Sequence, residues 1–226
     1  MDRRTFIKLV TYLGVSFAID PAGILPKAGS CQELETKVQE GNPISLDSAY
    51  NYSNTDLAKY HSWIDKTIAE SKQNDDYALI IDKSQYTLNI IKNGEFHSKY
   101  NIELGPNPID DKKIEGDGCT PEGMYHIVNM KDEGQTRYHK ALLINYPNSD
   151  DKKKFKHLKD SGQILPTDTI GGLIEIHGMG TGYKGNGKGQ NWTLGCIALS
   201  NADIDEVFDV VSKNSRVTIV KYGTKY

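Results

Sequence analysis

The chain has 226 residues, a formal net charge of −3 at pH 7 and a mean hydropathy of −0.55. This length provides one sizeable core but not two full enzyme domains. The acidic balance argues against nucleic acid as a partner, and the polar composition argues against a membrane-embedded fold.

Residues 1–30 have the pattern of an export signal. Arg3 and Arg4 precede an apolar stretch at residues 9–19, and small residues follow it. A charged start, a short apolar middle and a small-residue exit are typical of exported proteins. We therefore expect export, with membrane contact only through the signal. A signal anchor that stays attached and a lipid anchor on Cys31 are the alternatives.

Residues 31–54 are polar and lack a hydrophobic period, which predicts a tether before a folded domain over residues 55–226. At the start of that domain, Leu57, Tyr60 and Ile64 recur at helical spacing. We expect an N-terminal helix that packs this face against the rest of the domain.

Strand patterns dominate the rest of the chain. Seven strands are predicted, at residues 77–82, 86–92, 96–104, 123–130, 140–145, 172–177 and 216–221. The Asn93-Gly94 pair between the second and third strands is a strong hairpin signal. One short helix, residues 202–212, follows a Ser200-Asn201 cap. Hairpins without regular strand–helix alternation predict a mainly β fold, a β-sandwich or an open barrel.

A histidine and a cysteine lie near each other in the sequence, in Ile176-His177-Gly178 and Thr193-Leu194-Gly195-Cys196. The 18 residues between them are rich in glycine, so the chain can fold back and bring the two side chains together. A thiol attacks a carbonyl well only as a thiolate, and a neighbouring imidazole is the usual base. The pattern predicts a cysteine acyl-transfer enzyme. A buried structural cysteine beside an unrelated histidine is the alternative.

Other candidate ligands and nucleophiles give weaker signals. His126 and His139 lack the spacing of metal ligands, so we expect no metal or other cofactor. Cys119 is the other cysteine of the folded domain, and we expect Cys196 to stay free rather than to pair with it. The basic run at residues 152–157 is interpreted as a solvated loop or helix face.

Four segments together resemble the L,D-transpeptidase catalytic domain, also called the YkuD-like domain, over residues 77–221. In the family's order they are residues 80–88, 115–125, 142–148 and the paired segments 174–178 and 193–201. The run Trp192-Thr193-Leu194-Gly195-Cys196-Ile197-Ala198 is most similar to the subgroup that resembles YafK.

The resemblance implies a β-sandwich enzyme that acts on peptidoglycan stem peptides after the third residue, often diaminopimelate. Cys196 corresponds to the nucleophile, which forms a thioester, and His177 corresponds to its general base. The backbone carbonyl of Gly178 would orient the imidazole, and N–H groups around Gly195 and Cys196 would hold the oxyanion. An amine acceptor would complete an L,D-transpeptidase reaction. We expect a monomer in the periplasm or cell envelope.

Two departures leave the outcome of the reaction open. The family's commonest form has a His before the Gly-Cys pair and an Arg two residues after the Cys, where this chain has Leu194 and Ala198. The YafK-like subgroup is associated with hydrolytic removal of proteins linked to the wall. A hydrolase of the same bond, with wall-linked protein as a partner, is therefore an alternative. A non-catalytic wall-binding module is another.

Further residues are candidates for contact with the stem peptide, namely Trp192, Thr193, Tyr183 and Asn201. Packing is the alternative role for Tyr183 and Trp192. Asn201 could instead support the active-site loop or cap the helix that follows. Two other cysteine-enzyme classes fit less well. Papain-like and NlpC-like peptidases have the cysteine before the histidine, and a sortase needs an arginine closer to the nucleophile than Arg216.

Overall fold

The computed structural model describes residues 54–180 and 191–222, so the predicted export signal and nearly all of the tether lie outside the described residues. Within them, the helices are α1 (Asn54–Asn74), α2 (Ser149–Asp160) and α3 (Asn201–Val210). The strands are β1 (Tyr77–Asp82), β2 (Thr87–Lys92), β3 (Glu95–Asn101), β4 (Gly123–Lys131), β5 (Ala141–Ile144), β6 (Glu175–His177), β7 (Ile197–Ala198) and β8 (Arg216–Val220).

The eight strands form one sheet in the order β3-β2-β1-β8-β4-β5-β6-β7. Neighbouring strands are antiparallel except for two parallel pairs, β1 with β8 and β6 with β7. The β1–β2 and β2–β3 hairpins are the sequential pairs that short turns allow, and Asn93 and Gly94 both take positive φ between β2 and β3. The short parallel β6–β7 pair carries the segment that holds the histidine and cysteine.

The sheet curls until its two edges meet. Just beyond edge strand β3, Glu103 exchanges two backbone hydrogen bonds with Ala198 of the opposite edge strand β7, at 2.8 and 2.9 Å. The next residue, Leu104, accepts from the Thr193 N–H at 3.1 Å. This closure encloses a buried core with members from both halves of the sheet, such as Leu88 and Ile176. The architecture is a strongly curled sheet, a half-barrel whose edges join through this isolated bridge.

Helix α1 covers the outer face of the sheet. Tyr60 and Ile64 are buried there against Ile80 of β1 and Val220 of β8. Because side chains alternate along a strand, Leu79 and Ile81 of β1 point the other way, into the barrel core. Both faces of β1 are therefore covered, which is why its sequence is apolar without a break.

The prediction of a mainly β fold with an N-terminal helix and a short helix after Cys196 is confirmed. The strand predicted at residues 172–177 is shorter, Glu175–His177, because Gly171 and Leu173 adopt positive φ and leave the extended conformation. None of the described helices is both long and apolar enough to cross a membrane.

Two elements were not predicted. Helix α2 contains the basic run that was interpreted as a solvated loop or helix face, so the prediction of one helix among the strands was wrong. Asn148 and Asp151 form a capping box that starts α2. Strand β7 has two residues, too few for a periodicity to be visible.

Candidate active site

The β6–β7 pair places Cys196 beside Glu175 and close to His177. Ile176 pairs with Ile197 and His177 with Ala198, so the residue before β7 lies next to the first residue of β6. The Glu175 N–H donates to Cys196 Sγ at 3.4 Å, and the Leu199 N–H donates to the His177 carbonyl at 2.9 Å. The sheet thus places the two segments that carry His177 and Cys196 side by side.

A tight turn fixes the backbone in front of Cys196. The Thr193 hydroxyl donates to the Cys196 carbonyl at 2.7 Å and accepts from the Gly195 N–H at 3.2 Å. Gly195 has φ +117°, and a Cβ there would lie 2.4 Å from the Cys119 carbonyl oxygen. Only glycine fits this position.

These contacts show what the two residues do in the turn. The Thr193 hydroxyl holds the backbone before Cys196, and the contact of Thr193 with a substrate stays a prediction. The Gly195 N–H is engaged by that hydroxyl, and the role of the N–H groups around Gly195 and Cys196 toward an oxyanion also stays a prediction.

His177 is fully buried, and its Nδ1 lies 2.7 Å from the Gly178 carbonyl oxygen. A carbonyl can only accept, so the proton of the neutral ring is on Nδ1 and the lone pair is on Nε2. Among the described residues Nε2 has no hydrogen-bond partner. Burial lowers the pKa of His177, against the opposing effect of the Gly178 carbonyl. At neutral pH this imidazole is uncharged and can accept a proton.

Cys196 is a partly exposed free thiol with a raised pKa. Desolvation is the main cause, and the hydrogen bond from the Glu175 N–H opposes it. The sulfur also lies 3.6 Å from the Leu173 carbonyl, which is an acceptor for the S–H. The resting pair is therefore thiol and neutral imidazole, not thiolate and imidazolium.

Aromatic rings fix the plane of the imidazole. Tyr138 stacks on His177 with ring centroids 3.7 Å apart and an interplanar angle of 14°. Trp192 meets the imidazole edge-on, with centroids 5.7 Å apart at 68°. Arg137 donates to the Tyr138 hydroxyl at 2.7 Å, and its guanidinium carbon lies 4.9 Å from the centre of the Tyr138 ring.

Asn201 lies behind the histidine. Its side-chain oxygen accepts from the Met179 N–H at 2.9 Å, and it would be 2.8 Å from a Cβ at Gly178. Ser200 is the N-cap of α3, so Asn201 is not the cap. Asn201 thus supports the loop after His177, and its contact with a substrate stays a prediction. Tyr183 lies outside the described residues.

Cys196 opens onto a cavity of about 900 Å³. Its lining includes Trp192 together with two exposed leucines, Leu173 and Leu194, which are 76% and 79% exposed. Leu173 is held at φ +56°, an uncommon conformation for a non-glycine residue. The cavity also has charged walls, and its cations are Lys112, Lys131 and Arg137.

Cys119 lies under the turn before Cys196 rather than in this cavity. Its thiol is buried, lies 3.6 Å from the Asp117 carbonyl and has a pKa raised to about 11 by burial. It lines a separate cavity of about 340 Å³ and is free. Within residues 54–180 and 191–222, no three His, Cys, Asp or Glu side chains cluster as metal ligands would.

Sequence reasoning missed Arg137 and Tyr138. Both belong to the connection between β4 and β5, far from His177 in the chain. The β5–β6 pairing, in which Ala141 opposes His177, brings that connection beside the imidazole. No local motif marks such a contact.

The described residues form a curled β sheet in which a free, cavity-lining cysteine precedes a strand that pairs with the strand of a buried, neutral histidine. Residues 76–219, more than half of the chain, match the model of the YkuD family, described as the L,D-transpeptidase catalytic domain. The chain belongs to this family.

Individual relatives are more distant. YafK of Escherichia coli strain K12, provisionally named an L,D-transpeptidase, is 28% identical over 141 residues. These cover 58% of this chain and 46% of YafK, so the match spans under half of that relative.

Two solved structures are also similar. The helical cell shape determining protein Pgp2 of Campylobacter jejuni is 26% identical with a TM-score of 0.48, over 71% of this chain and 56% of Pgp2. Bd1075 of Bdellovibrio bacteriovorus is 22% identical with a TM-score of 0.48, over 66% of this chain and 50% of Bd1075.

Proposed function

We propose that this protein is a cysteine acyl-transfer enzyme that acts on the stem peptides of peptidoglycan, at the carbonyl after the third residue. One observation carries the proposal: the strand that ends in a buried, neutral His177 with an unprotonated Nε2 pairs with the strand that follows Cys196, and Cys196 lines an open cavity. Family membership supplies the substrate class.

The chemistry follows from these protonation states. His177 Nε2 takes the proton of Cys196 Sγ–H as the sulfur attacks the carbonyl carbon. The carbonyl oxygen becomes an oxyanion, for which we propose the Cys196 N–H as a donor, since the Gly195 N–H is engaged by Thr193. His177 then returns the proton to the leaving amine, and the thioester remains on Cys196.

The thioester can be resolved in two ways. An amine acceptor gives an L,D-transpeptidase, and water gives a hydrolase that shortens stems or releases wall-linked protein. Leu194, beside the proposed nucleophile, is exposed and apolar. Its side chain cannot hydrogen-bond to the ammonium group of an acceptor, and this favours hydrolysis as the second candidate function. A wall-binding module without activity is the third.

Location and domain organisation belong to the same proposal. A peptidoglycan substrate places the domain, residues 55–226, in the periplasm or cell envelope. Residues 1–30 would direct export and residues 31–54 would tether the domain. Cys31 is the site to examine for a lipid anchor.

Product analysis by mass spectrometry tests the proposal. The protein from Gln32 onward is incubated with tetrapeptide muropeptides, with and without a D-amino acid, and separately with wall-linked protein. We expect exchanged or shortened stems that require Cys196 and His177. Exchange identifies a transpeptidase, whereas shortening or protein release without exchange identifies a hydrolase.

The matched control is Cys119→Ala, which removes the other thiol of the domain. Because Cys119 Sγ points to the Asp117 carbonyl and lines a different cavity, we expect this variant to keep its activity. No change in any substrate would contradict the enzyme proposal and favour the binding module.

A further inference from the structure

The cations of the 900 Å³ cavity are not equivalent. Lys112 forms an ion pair with Asp117 at 2.8 Å, and Lys131 forms one with Glu175 at 2.6 Å. Arg137 has no carboxylate within ion-pair distance among the residues that the structure describes. Of the three cations in the cavity, Arg137 is thus the one whose charge no carboxylate of the described residues neutralises.

The Arg137 guanidinium is nevertheless held in place. One N–H donates to the Tyr138 hydroxyl at 2.7 Å, and the guanidinium carbon lies 4.9 Å from the centre of the Tyr138 ring. Tyr138 in turn stacks on His177. This chain of contacts positions an exposed cation close to the reacting pair, with most of its five N–H donors still available.

The walls of the cavity otherwise disfavour an anion. Glu115 and Glu175 both line it, and Lys131 neutralises only Glu175. Glu115 accepts a hydrogen bond from the Thr169 hydroxyl, which leaves its charge in place. An anionic substrate therefore needs a cation of its own near Cys196. A guanidinium fork fits a carboxylate, to which it can donate two parallel hydrogen bonds.

We infer that Arg137 binds a carboxylate of the peptide whose carbonyl Cys196 attacks. This inference rests on the proposed function. In a stem tetrapeptide, two groups beside the scissile bond carry this chemistry: the C-terminal carboxylate of the fourth residue and the side-chain carboxylate of a diaminopimelate third residue. Arg137 is then a substrate-binding residue that selects free acids over neutral analogues.

Equilibrium binding to the Cys196→Ala protein tests the inference without turnover. Three peptides are compared by calorimetry: the diaminopimelate tetrapeptide, its C-terminal carboxamide, and the tetrapeptide with lysine as the third residue. We expect the protein with Arg137 to bind the first peptide about tenfold or more tightly than the peptide that lacks the recognised carboxylate. Arg137→Gln should remove this difference.

The pattern of losses identifies the carboxylate. Each altered peptide lacks one carboxylate. If losing that carboxylate weakens binding to the protein with Arg137 but does not weaken binding to Arg137→Gln, that carboxylate is the group that Arg137 contacts. Arg137→Lys should keep part of the preference, because a lysine keeps the charge but loses the fork. Lys113→Gln is the matched control, since Lys113 is an exposed cation that lines the other cavity and should leave the preference unchanged.

Three results would overturn the inference. The first is an unchanged preference in Arg137→Gln, the second is an equal loss in Lys113→Gln, and the third is no measurable binding of any peptide. The proposed function is judged separately, by wild-type turnover. Cysteine-dependent turnover without an Arg137-dependent preference would leave the function standing and reject the inference. The preference without turnover would reject the proposed function and leave Arg137 only as a residue that binds a peptide carboxylate.

Discussion

The resting charge state of two residues determines how this site would generate a nucleophile. Burial lowers the pKa of His177 and raises that of Cys196, so both shifts favour the uncharged pair. Cys196 is therefore a protonated thiol, not a thiolate, in the resting site. In the proposed reaction the proton would move from Sγ to Nε2 as the substrate reacts, and the Nδ1–H bond to the Gly178 carbonyl keeps Nε2 as the accepting atom.

The acid limb of the pH–rate profile measures the pKa of His177 and so tests whether the resting pair is uncharged. His177 acts as a base only when neutral, so activity rises as pH rises through its pKa and is lost below it. Because burial lowers that pKa from 6.5, we expect the acid limb of kcat/KM to have its midpoint below pH 6.5. The measurement is kcat/KM for tetrapeptide cleavage from pH 4 to pH 9. A midpoint above the ordinary histidine value would contradict the neutral-pair description.

Residues of the site differ in how far their sequence indicates their role. His177, Cys196 and Gly195 stand in a recognisable pattern, because the chemistry and the turn limit which residue types can occupy those positions. Arg137 and Tyr138 have no such pattern. Their contact with His177 depends on the pairing of β5 with β6, and neither strand's own sequence specifies which loop will reach the imidazole.

At the scale of elements, the turn before β7 sets the position of Cys196. The Thr193 hydroxyl at its start bonds to the backbone of Gly195 and Cys196 at its end, and Gly195 packs against the backbone of Cys119. The turn leads directly into the two-residue strand β7. A displacement of Gly195 would therefore also displace Cys196.

Gly195→Ala tests the role of this turn. The new Cβ would meet the Cys119 carbonyl oxygen at 2.4 Å in a backbone conformation of φ +117°, and both effects oppose it. We expect a loss of at least about 1–3 kcal/mol in the free energy of unfolding, from backbone strain alone, together with a large drop in activity. Urea denaturation and turnover measure the two effects.

Gly134→Ala is the matched control. Gly134 also has positive φ, at +81°, but nothing lies within 4 Å of a Cβ there. It should carry the backbone strain without the clash and keep activity. Equal stability and equal activity of the two variants would show that close packing under the turn is unimportant.

Most elements could be predicted from their sequences, and the exceptions have physical reasons. Strand β1 and the β2–β3 hairpin follow from apolar runs and a turn pair that act locally. Helix α2 was missed because its charged residues mask the period; its Asn148–Asp151 capping box was the available signal. The edge strand β7 exists through its partners, β6 and Glu103, rather than through any pattern of its own.

At the scale of the whole molecule, a buried polar cluster joins α1 to the barrel. Lys83, after β1, is 1% exposed and its ammonium lies 2.9 Å from a Glu122 carboxylate oxygen. The same ammonium donates to the carbonyls of Asp110 and Thr120. The Tyr60 hydroxyl of α1 donates to the other Glu122 oxygen. Three distant segments therefore share one satisfied network.

Lys83→Met tests how much this network contributes. The substitution leaves the Glu122 carboxylate buried without its ammonium, a situation that typically costs about 3–5 kcal/mol. We expect a loss of this size in the free energy of unfolding, measured by urea titration. Lys153→Met is the control, because its pair with Asp150 is exposed and should contribute about 0–1 kcal/mol. Similar losses in the two variants would contradict the account.

The central claim is that Cys196 carries the acyl group, and rapid acid quenching followed by intact-protein mass spectrometry tests it most directly. After wild-type protein is mixed with a stem tetrapeptide, we expect a mass increase equal to the donor acyl group, located on the peptide that contains Cys196. The adduct should be absent in Cys196→Ala and present in Cys119→Ala. Product formation without an adduct on Cys196, or with one on Cys119, would contradict the account.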